Sequence, residues 1–419
     1  MRPAAEPTPS PGAADGGRYD VIIVGAGIAG STMAIMLGER GWSILLLDKA
    51  RFPRHKACGE GLMPGGVAIL ERVGILEAVF ARGARTFREM RFRSAEGVWA
   101  GAEFPSVPSH PDYGLVLPRR ELDHVAFESA RAHPNVEARD GLRVVSLCMQ
   151  GDKVEGVTGV PSGDGGGEQS FTAGLTVGAD GPHSIFHRAC SLNRSLLRRR
   201  RFGVTGHYEG VSGLGDRVEV LVQPEGEIYV ARGPADLTLV ALLLEERAMR
   251  EFRHDLAGAY EAFVRGAPGL RKRVALAELA PPISAVGPLG FAVDRCYGPG
   301  FLLIGDAAGF LDPISGMGMT IALQSVCAAV PILERALATG DVSAGALAPY
   351  ERLRSEAVND AVRFTRILLQ MVRHKAIANR AVRRLRRNRE LLSRLLGLTS
   401  GATRYRDIRT REKLALLLG

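Results

Sequence analysis

The feature that most constrains this sequence is a glycine-rich turn between an apolar strand and a helix, close to the N-terminus. Residues 19–24 form a short apolar run rich in β-branched side chains, which predicts a buried strand. The motif Gly-Ala-Gly-Ile-Ala-Gly follows at 25–30, and a helix over 31–40 and a second strand over 43–47 are predicted after it. This βαβ order is the context in which such a glycine spacing binds a dinucleotide.

Each glycine of this motif, and the aspartate that follows the second strand, has a physical role in binding a dinucleotide. Gly25 allows the tight turn, Gly27 lets backbone N–H groups approach a pyrophosphate, and Gly30 lets the helix pack closely on the sheet. The phosphate charge then lies at a helix N-terminus, which favours anions. Asp48 closes the second strand, 18 residues after Gly30, and is placed to accept hydrogen bonds from a ribose diol. The predicted contacts of this unit are Gly25, Gly27, Ala29, Gly30, Asp48 and Lys49.

Two later strands also end at an aspartate in a glycine turn. Residues 171–179 lead into Asp180-Gly181, and the buried run 300–304 leads into Gly305-Asp306. A glycine-rich turn and a helix starting near Gly318 follow the second of these. The three corners predict one nucleotide-binding sheet assembled from distant segments of the chain.

The region between the second and third corners has a different pattern. Alternating strands are predicted over 217–222, 227–231 and 237–244, which fits an antiparallel sheet with one face free to cover a ligand. The chain after residue 350 is predicted to be helical and holds most of the positive charge. Residues 351–419 contain 18 Lys and Arg and 6 Asp and Glu, so they carry +12, whereas the net charge of the whole chain is +9.

This local basicity is not a general nucleic-acid footprint, and no RNP, zinc-finger or base-stacking motif accompanies it. We therefore expect no nucleic-acid partner. Peripheral contact of the basic segment with anionic lipid is one hypothesis, and a solvated helix face is the alternative. The sequence leaves the oligomeric state open.

The composition also bears on where in the cell the protein is expected to be located. The first 17 residues are rich in Pro, Ala, Gly and Ser, which predicts a disordered tail and not a signal peptide. The long uncharged stretches 21–38 and 313–333 are interrupted by glycines, and the second also by Pro313 and Pro331, which argues against membrane spans. Five cysteines without a CxxC spacing indicate neither a disulfide framework nor a metal site. We expect a cytoplasmic protein, with membrane association as the hypothesis above.

The three corners together resemble one superfamily, the FAD-dependent enzymes of the para-hydroxybenzoate hydroxylase type, including the geranylgeranyl reductase branch. Asp180-Gly181 is similar to the family's "DG" signature, and Gly305-Asp306 with the following Asp312-Pro313 is similar to its "GD" signature. The resemblance implies an α/β fold with a three-layer, Rossmann-like FAD-binding domain, an inserted antiparallel substrate domain and a C-terminal helical segment. The implied boundaries are a tail over 1–17, FAD-binding parts over 18–80, 119–192 and 286–345, substrate parts over 81–118 and 193–285, and basic helices over 346–419.

The resemblance also implies FAD contacts. It places Asp306 at the ribityl and pyrophosphate region, Arg119 at the cofactor, and the loop containing Cys58 beside the isoalloxazine ring. Cys58 is therefore either a neighbour of the reacting centre or an inert small residue. The helix after the third corner would direct its N-terminus at the flavin and stabilise the reduced anion. The implied contacts beyond the βαβ unit are Cys58, Gly59, Gly61, Arg119, Val144, Asp180, Gly181, Asp306, Pro313, Gly316, Gly318 and Met319. One departure is His187, where the "DG" signature has Arg, which leaves the docking of the nicotinamide open.

The implied reaction is oxygenation. Because the chain has one dinucleotide-type βαβ unit, NADH or NADPH is expected to dock transiently, O2 is the co-substrate, and a flavin C4a-hydroperoxide carries out hydroxylation or epoxidation. We nominate no catalytic side chain. The expected substrate is a hydrophobic aromatic or prenylated secondary metabolite, with His207, Tyr229 and Met63 as candidate contacts. The alternative is reduction of isoprenoid double bonds, as in the geranylgeranyl reductase branch. Flavin halogenases share this fold and carry a WxWxIP motif. Neither Trp42 nor Trp99 lies in such a motif, so the sequence gives no indication of a halogenase.

Overall fold

The computed structural model describes residues 18–108, 110–163 and 166–412. The predicted tail over 1–17 lies outside these residues. The strands are β1 (Arg18–Val24), β2 (Ile44–Leu47), β3 (Gly61–Leu62), β4 (Arg85–Phe87), β5 (Glu89–Arg93), β6 (Trp99–Glu103), β7 (Gly114–Val116), β8 (Val136–Arg139), β9 (Leu142–Gln150), β10 (Lys153–Pro161), β11 (Gln169–Gly178), β12 (Arg194–Glu209), β13 (Arg217–Gln223), β14 (Gly226–Arg232), β15 (Leu237–Glu245), β16 (Glu278–Val293), β17 (Tyr297–Gly298) and β18 (Phe301–Leu303).

The helices alternate with these strands in the first half of the chain and dominate its end. They are α1 (Ile28–Gly38), α2 (Pro64–Arg72), α3 (Leu76–Ala81), α4 (Arg119–Arg131), α5 (Ile185–Ala189), α6 (Glu246–Met249), α7 (Leu256–Gly266), α8 (Gly318–Thr339), α9 (Ala344–Leu347), α10 (Pro349–Arg373), α11 (Lys375–Arg387) and α12 (Arg389–Ser400). Short 3₁₀ turns occur at Arg250–Phe252, Gly305–Ala308, Pro313–Ser315 and Tyr405–Asp407.

The first sheet has a parallel centre. Its strands run in the order β17-β18-β11-β1-β2-β8, and the pairs β18–β11, β11–β1, β1–β2 and β2–β8 are parallel, whereas β17 is antiparallel to β18. The β9–β10 pair extends it antiparallel from β11. Because β1, β11 and β18 are adjacent and parallel, their carboxyl ends lie at one edge of the sheet, where ligands bind in open α/β sheets. The three glycine corners follow these three strands.

The second sheet has seven strands in the order β16-β12-β15-β14-β13-β5-β6. All its pairs are antiparallel except β5 with β13. Its outer face packs under α7, where Val204, Tyr208 and Tyr260 share a buried apolar cluster. Since side chains alternate between the two faces of a strand, the other face is turned toward the first sheet. A small sheet, β3-β7-β4, joins the two.

Helix α8 follows the third corner and crosses the core. Among the described residues it is the helix long and apolar enough to cross a membrane, but half of its apolar window is buried, as in a soluble core helix. It packs against α1, α2 and α10. The expectation that Pro331 interrupts this stretch is wrong, because the helix continues through it. The buried row Leu323, Val326 and Val330 supplies tertiary packing that outweighs the one lost backbone hydrogen bond.

The C-terminal helices form a layer against the edge of the second sheet. Helix α10 packs on α8, and α11 and α12 pack on β6. Their buried residues, among them Phe364, Val382 and Leu395, share one apolar cluster with Met90 and Val218 of the second sheet. The segment is therefore integrated into the core. All five cysteines are free.

Candidate flavin site

The first corner is held by contacts that leave no room for a side chain. Gly25 has φ +103°, and a Cβ there would lie 2.5 Å from the carbonyl oxygen of Ala179 in the second corner. A Cβ on Gly30 would lie 1.8 Å from the carbonyl oxygen of Gly25. These two glycines bring the turn, the helix and the second corner together. The tight turn and the close helix packing agree with the sequence interpretation, which did not foresee the contact with Ala179.

Gly27 plays a different part, because the space in front of it is open. A Cβ at this position would lie 3.6 Å from Arg54 Nη2 and 3.9 Å from Arg119 Nη2. Gly27 is also the N-cap of α1, whose first N–H groups lack side-chain partners in the cap. Two guanidinium groups and a helix N-terminus thus surround one point, an arrangement that suits a pyrophosphate.

Asp48 lies next to this loop and is engaged by protein. Its Oδ2 accepts the N–H of Ala26 at 2.9 Å, and its Oδ1 accepts the N–H of Ala50 at 2.9 Å. Arg54 Nη2 lies 3.6 Å from the same carboxylate. The structure therefore shows Asp48 fixing the glycine turn, and its contact with a ribose stays a prediction.

Arg119 begins α4 and is almost completely buried. Its Nε and Nη2 donate to the two carboxylate oxygens of Asp123 at 2.9 and 2.7 Å. Burial alone would lower the pKa of Arg119, but Asp123 and Cys58 beside it outweigh burial, so the pKa is raised. The guanidinium is thus a fixed positive charge at the cleft.

Arg54 and Lys56 belong to the same positive group, and the sequence interpretation missed both as site residues. Arg54 Nη1 lies 3.2 Å from Asp123, and Lys56 lines the cleft. Although the Lys56 side chain is accessible, its enclosure by the cleft walls and the Arg119 guanidinium lower its pKa. The signal that could have found them is the cluster of cations directly after Asp48 in the sequence.

The second corner contains a carboxylate with one bonded and one unbonded oxygen. Asp180 Oδ2 accepts the N–H of Ile185 at 2.9 Å. Within the described residues, Asp180 Oδ1 is sealed from solvent and has no hydrogen-bond partner. Burial raises the pKa of this carboxyl group. A buried acceptor without a donor is costly.

His187 links the second corner to the third. The residue is buried, and its Nε2 lies 2.8 Å from the carbonyl oxygen of Ala307, one residue after Asp306. Its ring also meets the edge of Phe291. The position that departs from the family signature is thus a structural bridge between two corners of the site.

The third corner leads from β18 into α8. The Gly305 N–H donates to Ser325 Oγ at 2.9 Å, which ties the corner to the helix. The turn at Pro313–Ser315 is capped by Asp312, and Gly316 has φ +67°. Helix α8 then begins at Gly318, where the sequence predicted it. Its N-terminal N–H groups face the cleft and provide the positive dipole end expected there.

The three corners converge on one cleft of about 1750 Å³, including its open mouth. Corner residues Ala179, Gly181 and Asp306 line it together with the glycine loop. The predicted contacts that line it are Gly27, Ala29, Cys58, Gly59, Gly61, Met63, Arg119, Gly181, Tyr229, Asp306, Pro313, Gly316, Gly318 and Met319. The central expectation, that remote glycine–aspartate corners build one cavity, agrees with this geometry.

The remaining predicted contacts lie around the cleft and not in its wall. Gly25 and Gly30 support the turn, Asp48 fixes it, and the backbone of Asp180 continues a lining segment. Lys49 is exposed, and its carbonyl accepts the Ser162 hydroxyl at 2.6 Å. Val144 is half-buried on β9 against the core of the first sheet. Cofactor contacts by Lys49 and Val144 stay predictions.

The second sheet roofs the other end of the cleft. On β12, Gly203 and Thr205 line the cleft, whereas Val204 packs in the outer cluster. Tyr229 lines it from β14, and its O–H donates to the carbonyl oxygen of Ile314 at 3.0 Å. Burial raises the pKa of this phenol. The rest of the roof is largely aliphatic or aromatic, formed by Phe87, Met90, Val218, Ala231, Ala241, Leu242, Leu243, Val286, Leu289, Phe291 and Phe310.

His207 lies on the same face of β12, two positions beyond Thr205. The His207 Nε2 atom is 2.8 Å from Glu60 Oε2, and Glu60 Oε1 accepts the backbone N–H of Arg119 at 3.2 Å. Glu60 is buried, has φ +52° and lines the cleft, and the sequence interpretation missed it. The protein itself is therefore a partner of His207, and a substrate contact by this residue stays a prediction.

The residues present fit FAD. A cluster of Arg54, Lys56 and Arg119 beside the N-terminus of α1 suits the pyrophosphate, and the start of α8 suits the anionic end of a reduced flavin. The fold and the site together define an FAD-binding flavoprotein.

Comparison with known proteins gives the family. The family model described as FAD binding domain matches residues 18–365, and the chain belongs to this family. The menaquinone reductase of Mycolicibacterium smegmatis is 31% identical over 323 residues, which cover 74% of this chain and 74% of the relative. The 6-methylpretetramide 4-monooxygenase of Streptomyces rimosus is 26% identical, with coverage of 79% and 78%. The digeranylgeranylglycerophospholipid reductase 1 of Methanothermobacter thermautotrophicus is 26% identical, with coverage of 82% and 84%.

Among solved structures, a flavoprotein/dehydrogenase from Cytophaga hutchinsonii superposes with a TM-score of 0.81 and 20% identity, covering 96% of this chain and 95% of that one. This likeness concerns the fold. Together the comparisons confirm the resemblance, the α/β fold class with an FAD-binding and a substrate-binding part, and the prediction that the chain is a flavoprotein oxidoreductase.

Proposed function

We propose that this protein is an FAD-dependent monooxygenase that hydroxylates or epoxidises a hydrophobic aromatic or prenylated small molecule, with NADH or NADPH as the reductant and O2 as co-substrate. One observation carries the proposal: the roof of the cleft, formed mainly by the second sheet, is largely aliphatic or aromatic. An apolar chamber excludes water from a reactive flavin site and takes up a lipophilic substrate.

Three polar side chains at or near the roof support the same choice of substrate, because they bind other groups of the protein. The Tyr229 hydroxyl is bonded to the backbone and the His207 ring to Glu60. Arg201 is 1% exposed and binds Glu227 and Asp312. Apart from the Thr205 hydroxyl, recognition at this end therefore rests on apolar area and shape.

The side chains have distinct tasks in this reaction. FAD, when bound, supplies the redox chemistry and the activation of O2. Arg54, Lys56 and Arg119 hold its phosphates, and the first turn of α8 offers N–H groups where negative charge develops on reduction. The apolar roof positions the substrate and keeps water out.

A second candidate is reduction of isoprenoid double bonds. Cys58 lies in the cleft wall beside Arg119, where a thiol could meet a substrate at the flavin end. Two of the relatives are named as reductases, one at 31% identity. Both candidate functions take a lipophilic substrate. The monooxygenase transfers an oxygen atom to it, whereas the reductase transfers hydrogen.

Isotopic labelling distinguishes the two functions. The FAD-loaded enzyme is incubated with NADH or NADPH under labelled O2, with menaquinone and 6-methylpretetramide as probes, and products are analysed by mass spectrometry. We expect a product that contains one labelled oxygen atom. A product that gains two hydrogens and no label would overturn the monooxygenase proposal in favour of the reductase, and a purified protein that takes up no FAD would overturn both.

A pair of variants tests whether the substrate occupies this cleft. Thr205→Trp fills the space under the roof, and Ser195→Trp places the same side chain on an exposed position of the same strand. We expect Thr205→Trp to retain FAD and lose turnover of the probe, while Ser195→Trp retains both. Equal turnover in the two variants would place the substrate elsewhere.

A further inference from the structure

The C-terminal helices present an unusually uniform positive surface. Of the exposed positions on α11, every one except Ala376 is Lys or Arg. Helix α10 adds a stripe at Arg363, Arg366 and Arg373, positions that share one side of the helix at spacings of three and seven. We call the following set the basic face: Arg363, Arg366, Arg373, Lys375, Arg380, Arg383, Arg384, Arg386 and Arg387.

The basic face is poorly neutralised by the protein. Within the described part of the chain, Arg383 has a carboxylate partner, Glu96 at 2.6 Å, and the others have no ion pair. Arg363 instead stacks over the Tyr405 ring at 5.2 Å. Like charges placed this closely repel one another, so an anionic partner would stabilise the arrangement.

The inner side of the same helices reaches the substrate end of the cleft. Phe364, Met371 and Leu385 of α10 and α11 belong to one apolar cluster with Phe87 and Met90. Phe87 and Met90 in turn line the roofed end of the cleft. One layer of helix therefore separates the basic face from the chamber that the proposed function assigns to a lipophilic substrate.

We propose that the basic face docks on an anionic lipid bilayer, from which the enzyme receives its lipophilic substrate. That docking delivers the substrate rests on the proposed function. That the protein binds the bilayer rests on charge complementarity between the basic face and anionic lipid. Each cation near an anionic bilayer surface contributes favourably, and the attraction weakens within a Debye length as salt rises. A nucleic-acid partner is less suited, because the exposed face of α11 consists of Lys, Arg and Ala and offers no aromatic side chain for base stacking.

Vesicle co-sedimentation of the FAD-loaded protein tests the proposal. The vesicles consist of phosphatidylcholine alone or with phosphatidylglycerol, at low and at high salt. We expect binding to the anionic vesicles at low salt, loss of binding at high salt, and no binding to the neutral vesicles. No binding to anionic vesicles at low salt overturns the proposal.

The variant Arg380→Gln/Arg384→Gln/Arg387→Gln assigns the binding to the basic face. Its matched control, Arg247→Gln/Arg250→Gln/Arg253→Gln, removes the same charge from exposed positions in and after α6. We expect vesicle binding about a hundredfold weaker in the first variant and little change in the control. Both should keep wild-type FAD content and melting temperature, which shows that they fold.

Two outcomes separate this proposal from the proposed function. Equal weakening in both triple variants would show non-specific charge attraction, and tighter binding of duplex DNA than of anionic vesicles at equal salt would favour a nucleic acid; either overturns the docking. Neither outcome affects the labelling experiment, which uses dissolved probes. Conversely, a chain that binds vesicles but oxidises neither probe would contradict the proposed function alone.

Discussion

At the glycine corners the wall of the cleft holds the charged side chains of Lys56, Arg119 and Asp306, with Arg54 beside Gly27, whereas under the second sheet it is mostly aliphatic and aromatic. The first end is fixed by ion pairs and by backbone contacts too close for a side chain. The second is fixed by strand pairing, and its facing side chains make few directional contacts. We call the first the cofactor end and the second the substrate end. The difference indicates that the cofactor end suits one ligand of fixed charge pattern, while at the substrate end we expect side chains of similar volume to be exchanged with little effect on the fold.

The largest effect should follow loss of the Arg119 guanidinium. Arg119→Met leaves the completely buried Asp123 with Arg54 as its remaining cation. Breaking a buried pair costs about 3–5 kcal/mol of unfolding free energy, and the variant should also lose FAD. Denaturant unfolding and the flavin-to-protein absorbance ratio measure both effects.

Arg120→Met is the control, because Arg120 is the neighbouring residue on the same helix and is exposed. We expect it to change stability little and to retain FAD. If the two variants behave alike, the cofactor end does not depend on a buried cation, and the contrast between the two ends fails.

A smaller effect is expected from Gly30→Ala. Its Cβ would lie 1.8 Å from the Gly25 carbonyl oxygen, so the turn or the helix has to move. Overpacking of this kind costs about 1–3 kcal/mol, and the shifted turn should bind FAD at least tenfold more weakly. Gly266→Ala, with no atom within 4 Å of the added Cβ, serves as the control. Unchanged FAD affinity in Gly30→Ala would contradict the tight packing at this corner.

The smallest effect should come from Tyr229→Phe at the substrate end. The change removes one hydrogen bond, to Ile314, and costs about 0.5–1.5 kcal/mol. Because Ile314 lies in the turn before α8, we also expect a shift of the flavin absorbance maximum without loss of FAD. Tyr260→Phe removes the corresponding bond to Val240 on the outer face. It should cost a similar amount of stability and leave the spectrum unchanged, and identical spectra for both variants would show that Tyr229 does not support the flavin end.

The cofactor end was predictable from sequence because its signals are local. A glycine turn after an apolar strand and an aspartate at the strand end are visible within a few residues, and β1, β11, β18 and α8 lie close to their predicted positions. The convergence of the three corners followed from the family resemblance and from the rule that parallel strands end at one edge.

Other features depend on contacts between distant segments. Arg54, Lys56 and Glu60 lie in a loop without periodicity, and their roles appear only when that loop folds over the glycine turn. The parallel pairing of β5 with β13 joins residues more than a hundred positions apart. Pro331 was misleading because helix propensity is a local quantity, whereas the core packing that holds α8 is not.

The bridge from His187 on α5 to Ala307 in the third corner joins two segments whose chain positions differ by 120. A growing polypeptide on the ribosome acquires β11 and α5 long before β18 and the start of α8 have been synthesised. Until then the central strands lack a neighbour and the nucleotide pocket lacks its third wall. Because residues from all three corners line the pocket, we expect FAD to be captured only after the start of α8 has emerged from the ribosome.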